Sequence, residues 1–150
     1  SHIEEFPAPS LSGFGLPSPD ELAGLAMSYQ AAQKIHAASA PHDPPEYVNR
    51  RARDVVDILL IRDLAESTGT PSRDDVRSAV ADVFAARAVE AEAAGRIPQT
   101  LPATIIAWPH WEADFRAAAD AVGLDISLDE AVAEANAWIS SICDSGRQQQ

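Results

Sequence analysis

The sequence holds one cysteine, one methionine and one lysine among 150 residues, and aromatic side chains make up only 6% of it. With Cys143 alone, no internal disulfide can form, so the fold needs no oxidising compartment; Cys143 reads as a small apolar residue on the last helix. Positive charge is scarce as well. Eleven basic residues stand against 23 acidic ones, a net charge of −12, which excludes phosphate binding across the whole surface because that needs clustered cations. No apolar run approaches the roughly 20 residues of a bilayer-spanning helix, and the N-terminus has neither a basic nor an apolar leader region. The expected location is cytoplasmic, with no membrane partner. Also missing are a Gly-rich phosphate loop, a Ser–His–Asp order and a CxxC pair. His36, His42 and His110 lack ligand spacing such as HxxxH with a third partner, so no metal site is expected.

What the chain does hold is alanine. Hydrophobic residues reach 46%, and alanine supplies much of that share. Alanine loses no side-chain entropy in a helix and offers little to a pleated sheet. The expected fold is all-α: a bundle of about five helices with an extended N-terminal arm. Residues 1–18, rich in Pro, Ser and Gly, form the arm, 19–145 the helical domain, and 146–150 a disordered tail. The first helix opens at Ser18-Pro19-Asp20-Glu21, where a cap residue, a proline at the first helical position and acidic first-turn residues agree, and runs to about Ser39. Pro41, Pro44 and Pro45 force a loop over 41–48. The second helix runs from about Asn49 to Glu66, and Gly69-Thr70-Pro71 ends it. Ser72 with Asp75 caps a third helix to about Ala94, closed by Gly95. The connection 96–109 contains the apolar stretch Thr104 to Trp108, read as a packed loop in preference to a strand, since no sheet partner is in view. A fourth helix spans Pro109 to Ala121, ended by Gly123. The fifth opens with a capping box, Ser127 to Glu130, and ends near Cys143. Trp108, Trp111, Phe115 and Trp138 read first as core anchors and second as a ligand-stacking platform.

Charge is distributed unevenly along this framework. Lys34, Arg50, Arg51 and Arg53 fall within twenty residues, while the chain from Asp54 onward carries 17 acidic and 7 basic residues. At about 100° per residue, Arg50, Arg53, Asp54 and Asp57 share roughly one third of the second helix's circumference, with Ala52, Val55, Val56 and Leu59 opposite. One face is core; the other bears two guanidiniums and two carboxylates. The plain structural reading pairs Arg50 with Asp54 and Arg53 with Asp57 as i,i+4 ion pairs, each contributing about 0.3 kcal/mol. A carboxylate pair at this spacing can also position a nucleophile or share a metal, but the adjacent arginines disfavour a cation.

The run Tyr29-Gln30-Ala31-Ala32-Gln33-Lys34-Ile35-His36-Ala37, a Pro-rich loop, and then Asn49-Arg50-Arg51-Ala52-Arg53-Asp54-Val55-Val56-Asp57-Ile58-Leu59-Leu60 resembles the AbiEii/AbiGii toxin family. That family pairs a Glu-Lys helix with a second helix reading Asn-x-Arg-x-(Lys/Arg)-Asp-x-x-Asp. Leu101-Pro102, Trp108-Pro109, Trp111, the helix around Phe115 and the one around Glu130-Ala131 extend the resemblance over residues 10 to 143. It implies a nucleotidyltransferase of the DNA polymerase β type, acting in a toxin–antitoxin system. Lys34 matches the family's third-motif lysine and, with Arg50 and Arg53, would bind the nucleoside triphosphate; Asp54, with Asp57 beside it, matches the fourth motif as the catalytic carboxylate. Gln33 departs from the family's Glu. A larger departure is that residues 1–33 hold no Gly-Ser loop or paired metal-binding aspartates. The resemblance therefore implies that this chain is the C-terminal helical portion, inactive alone and binding no cofactor itself. The NTP and Mg²⁺ of the full-length family would meet it with the N-terminal catalytic half. A cognate antitoxin and an RNA acceptor are the implied partners. The alternative is a non-enzymatic helical interaction or docking module.

Overall fold

A computed structural model describes residues 15–148, with side chains to 144. Five α-helices succeed one another: α1 (Pro19–Ala38), α2 (Ala52–Thr68), α3 (Arg73–Ala93), α4 (Glu112–Ala121) and α5 (Leu128–Gln148). A single 3-10 turn, Pro109–Trp111, leads into α4. Among the described residues there is no β-strand, only one isolated bridge between Asp43 and Tyr47. The fold is all-α. No helix in this range is long and apolar enough to cross a membrane.

Local chemistry sets the helix starts. Ser18 and Glu21 exchange bonds as a capping box, Glu21 N–H to Ser18 Oγ at 3.1 Å and Ser18 N–H to Glu21 Oε1 at 2.7 Å, which satisfies two donors that a helix start otherwise leaves bare. Ser127 and Glu130 repeat the arrangement at α5, and the Ser72 hydroxyl accepts from Asp75 N–H at α3. Gly69 ends α2 at φ 79°, a left-handed conformation that a side chain would strain.

The helices pack around α2. It lies against α1, α4 and α5, while α3 joins α1 to α5, so α1, α2, α5 and α3 close a ring and α4 sits on the outer side of α2. Along α1, Lys34 lies beside the start of α2 and Gly24 beside Thr70 just past its end, so the two helices run antiparallel. Ile35, Val55, Ile58, Leu59, Val76 and Ile142 are all buried at the ring's centre. Ala31, Ala32, Ala52 and Ala135 are fully buried as well, and their small side chains let the backbones approach closely. Trp111, Phe115 and Trp138 are core residues, at 1%, 0% and 5% exposure. Cys143 packs against the same core from its edge.

Several expectations need correction. α2 begins at Ala52 and not near Asn49, because the Asn49 side chain turns back to the end of α1. The segment Pro109–Trp111 is 3-10 and not α-helical. α5 continues to Gln148, past Cys143 and through most of the stretch expected to be a disordered tail. Of the extended arm, residues 1–14 lie outside the described residues, as do 149–150. The stretch 104–108 finds a substitute for a strand partner in one side chain: Asn136 of α5 accepts from Ile105 N–H at 2.8 Å and donates to Ile105 O at 2.9 Å.

Candidate functional site

Antiparallel packing of α1 and α2 brings together residues 20 or more positions apart in sequence. Lys34 Nζ lies 2.9 Å from Asp57 Oδ2 and 3.6 Å from Asp54 Oδ1. The ammonium of the only lysine is thus held between the two carboxylates of the second helix. Lys34 and Asp57 side chains are each 30% exposed and Asp54 only 13%, so Asp54 forms the inner wall of the cluster and the other two reach its mouth. Burial pushes the Asp54 carboxyl above its ordinary range; the Lys34 and Arg51 charges oppose that rise, and the Asp57 charge adds to it. Desolvation wins over the ion pair.

The i,i+4 pairs expected within α2 do not form. Asp54 and Asp57 turn toward Lys34, and among the described residues Arg50 and Arg53 close no ion pair. Both guanidiniums are exposed along an open groove of about 400 Å³ between α2 and α4, whose opposite wall is Asp114, Ala117, Ala118, Ala121 and Val122. Asp57 belongs to both features, as partner of Lys34 and as part of the groove wall. Asp57 therefore joins the Lys34–Asp54 contact to the groove that Arg50 and Arg53 line, which brings the five candidate residues together around the start of α2. The alanine wall keeps the groove shallow and accessible.

The carboxylate pair does not fit a magnesium ion. Both aspartates direct oxygens at an ammonium, which takes the position between them and repels a dication. Among the described residues no group of three or more His, Cys, Asp or Glu side chains could hold a metal ion.

The sequence does not single out one residue of consequence. Asn49, fully buried at the α1–α2 junction, bonds to the end of α1, the start of α2 and the turn before α4. Its only sequence signal is its place at the head of the Asn-Arg-Arg-Ala-Arg-Asp run. Around it His42 and His110 stack at 4.2 Å between ring centroids, with Trp108 tilted against His42 at 5.2 Å. Asn49 N–H donates to His42 Nδ1, and the Asn49 carbonyl oxygen accepts from His110 Nε2, so each imidazole carries a proton on Nε2. These histidines serve the α1–α2 connection.

In comparisons with known proteins, no protein-family model matches this chain, and no curated protein matches it significantly.

Proposed function

We propose that this chain is the C-terminal helical portion of an AbiEii-like nucleotidyltransferase toxin and supplies one wall of its nucleoside triphosphate site. The observation that carries this reading is the placement of Lys34 between Asp54 and Asp57, with Asp57 opening onto the groove that displays Arg50 and Arg53. The resemblance assigns these five residues to one site, and they come together around the start of α2.

The division of labour follows from their chemistry. Lys34 is a point charge held in place by two carboxylates, ready to meet a phosphate oxygen without first paying the entropy of ordering its own side chain. Arg50 and Arg53 present planar forks suited to phosphate oxygens, and among the described residues neither closes an ion pair, although Asp57 and Asp114 line the same groove. Asp54 fixes the Lys34 ammonium from the inner side, and Asp57 stands at the mouth, where it can orient an acceptor hydroxyl. The Mg²⁺ of such a transferase would be held by the N-terminal half, because Asp54 and Asp57 do not fit it. An antitoxin and an RNA acceptor belong to the same proposal.

The decisive experiment joins this chain to the N-terminal half of its parent and tracks transfer of a labelled nucleotide to RNA with Mg²⁺ present. Lys34→Ala and Asp54→Ala are expected to abolish transfer, and the 150 residues alone to show none. Near-normal activity in both variants, or turnover by the isolated chain, would sink the proposal.

A second reading, a non-enzymatic docking module, draws on the groove itself. Its wall of Ala117, Ala118 and Ala121 beside half-exposed Val122 would let another backbone approach closely. Under that reading Ala118→Glu abolishes partner binding and Lys34→Ala does not.

A further inference from the structure

We infer that Asn49 is the positioning residue of the lysine–carboxylate cluster: its buried carboxamide sets the register between α1, which carries Lys34, and α2, which carries Asp54 and Asp57. The functional weight of this inference rests on the proposed nucleotidyltransferase role, whereas its geometry stands apart from any chemistry at the site.

A helix leaves its last carbonyls and first N–H groups without intrahelical partners, and each buried one costs about 1–3 kcal/mol unless something satisfies it. At the α1–α2 junction one side chain serves both ends. Asn49 Nδ2 donates to the carbonyl of Ala40 at 2.7 Å, with the Ala37 and Ala38 carbonyls each at 3.4 Å. Its Oδ1 accepts from Arg51 N–H at 2.9 Å, immediately before α2 begins. The Ala40 carbonyl, just past the end of α1, and the Arg51 N–H, just before α2, are therefore held to opposite edges of one planar amide, with the last carbonyls of α1 beside the donor edge. Lys34 lies one turn before the end of α1 and Asp54 in the first turn of α2, so a shift at the amide passes directly to the cluster.

The Asn49 backbone is immobilised as well. Its N–H goes to His42 Nδ1 at 3.1 Å, and its carbonyl accepts from Trp111 Nε1 at 2.9 Å and His110 Nε2 at 2.7 Å. Every polar group of a residue with no exposed surface is bonded, and the bonds reach four segments of chain. Alanine at this position keeps none of the carboxamide bonds. Arg50 and Arg53 flank the same junction, so the groove's cations move with it.

Lys34 is the only lysine, so its side-chain ammonium gives a single nitrogen-15 resonance, assigned without a second variant. In the full chain that resonance is expected to be visible in the cold at mildly acid pH, protected from exchange by its two carboxylate partners. The Asp54 carboxyl, monitored by carbon-13 NMR, is expected to titrate above its ordinary range. Asn49→Ala should erase the ammonium signal and move the Asp54 midpoint further up, because the Lys34 charge that opposes its rise is withdrawn, while far-UV circular dichroism keeps its helical form. Asn49→Ser, which can take the Arg51 N–H but cannot span to the α1 carbonyls, should do the same. Trp111→Phe removes a donor to the Asn49 carbonyl and leaves the carboxamide in place; it should lower the thermal midpoint without moving either signal. A folded Asn49→Ala protein with both signals unchanged would overturn the inference. Unfolding of both Asn49 variants would overturn it too, since Asn49 would then be needed for folding itself. Neither readout uses a nucleotide, so the result is independent of the transfer assay.

Discussion

Lys34 sits where two negative charges need it, and the energetic consequence differs for each partner. Replacing Lys34 by Met leaves Asp54 and Asp57 facing each other with no cation between them. The expected loss is about 1–2 kcal/mol by urea denaturation at neutral pH, below the cost of breaking a fully buried pair because water reaches the mouth of the cluster. Asp54→Asn should change stability by less than about 1 kcal/mol, since Lys34 keeps Asp57 at 2.9 Å and the cost of desolvating a carboxylate disappears. A larger loss from Asp54→Asn than from Lys34→Met would contradict this ranking. The pH dependence carries the same logic. Asp54 holds its proton more tightly folded than unfolded, so its charge opposes folding above the raised folded value. That opposition fades as pH falls through the folded value toward the ordinary 3.8, and the Asn variant lacks the effect. His36 behaves in the opposite sense. Burial in the α1–α3 seam, and secondarily Arg87, lower its value from 6.5, against a smaller upward pull from Glu90; its ring meets Phe84 edge-on. Its contribution is complete above 6.5 and is lost as pH falls through 6.5 toward the lowered folded value. Unfolding free energies measured from neutral to mildly acid pH should therefore fall more steeply for the unmodified chain than for His36→Gln; identical slopes would refute the assignment.

Helices and their connections show where local sequence suffices and where it does not. The starts of α1, α3 and α5 are legible because Ser18, Ser72 and Ser127 act on backbone groups three residues away. The buried side of α2 is legible from periodicity: Ala52, Val55, Val56 and Leu59 are all in the core. Its polar side is a surface, as the same periodicity predicts, but the internal ion pairs that the spacing suggests are absent. Lys34, on another helix, competes for both carboxylates, and no pattern within α2 encodes a neighbour's reach. Asn49 misleads for a similar reason. Asparagine ahead of a helix resembles a cap for that helix, yet its side-chain amide donates back to carbonyls at and just past the end of the preceding one. The connection 96–109 packs without a sheet, and Asn136 explains how an apolar stretch manages this: its amide presents a donor and an acceptor to Ile105 as a strand neighbour would. Asn136→Ala should cost about 1–3 kcal/mol, because both backbone groups of Ile105 lose their partner and Ile105 is 2% exposed. Hydrogen exchange at Ile105 N–H should accelerate well beyond what the global loss of stability accounts for. If the two change in proportion, Asn136 is not what holds the connection to α5.

At the scale of the whole molecule, the ring of α1, α2, α5 and α3 leaves no helix of the four with a single neighbour. Removing any one exposes core side chains on two others, so these helices are expected to unfold together. α4, attached mainly to the outside of α2, is the element that could depart alone. What binds it to the rest is burial: Phe115 at 0% and Trp111 at 1% exposure, the latter also bonded to the Asn49 carbonyl. Phe115→Ala should therefore cost about 3–5 kcal/mol, a transfer loss plus a cavity that Ala118 and Ala119 are too small to fill. All three tryptophans lie between residues 108 and 138, so their fluorescence reports on the C-terminal half, while circular dichroism sums over every helix. In the unmodified chain the two denaturation curves are expected to coincide, as one cooperative unit requires. In Phe115→Ala the fluorescence transition should move to lower urea than the helical one, because α4 and its tryptophan neighbours loosen before the ring opens. Coincident curves in the variant would mean that α4 is as integral as the other four helices. The α2–α4 groove would then be a fixed feature of the fold, and a ligand would find Arg50 and Arg53 already set against their alanine wall.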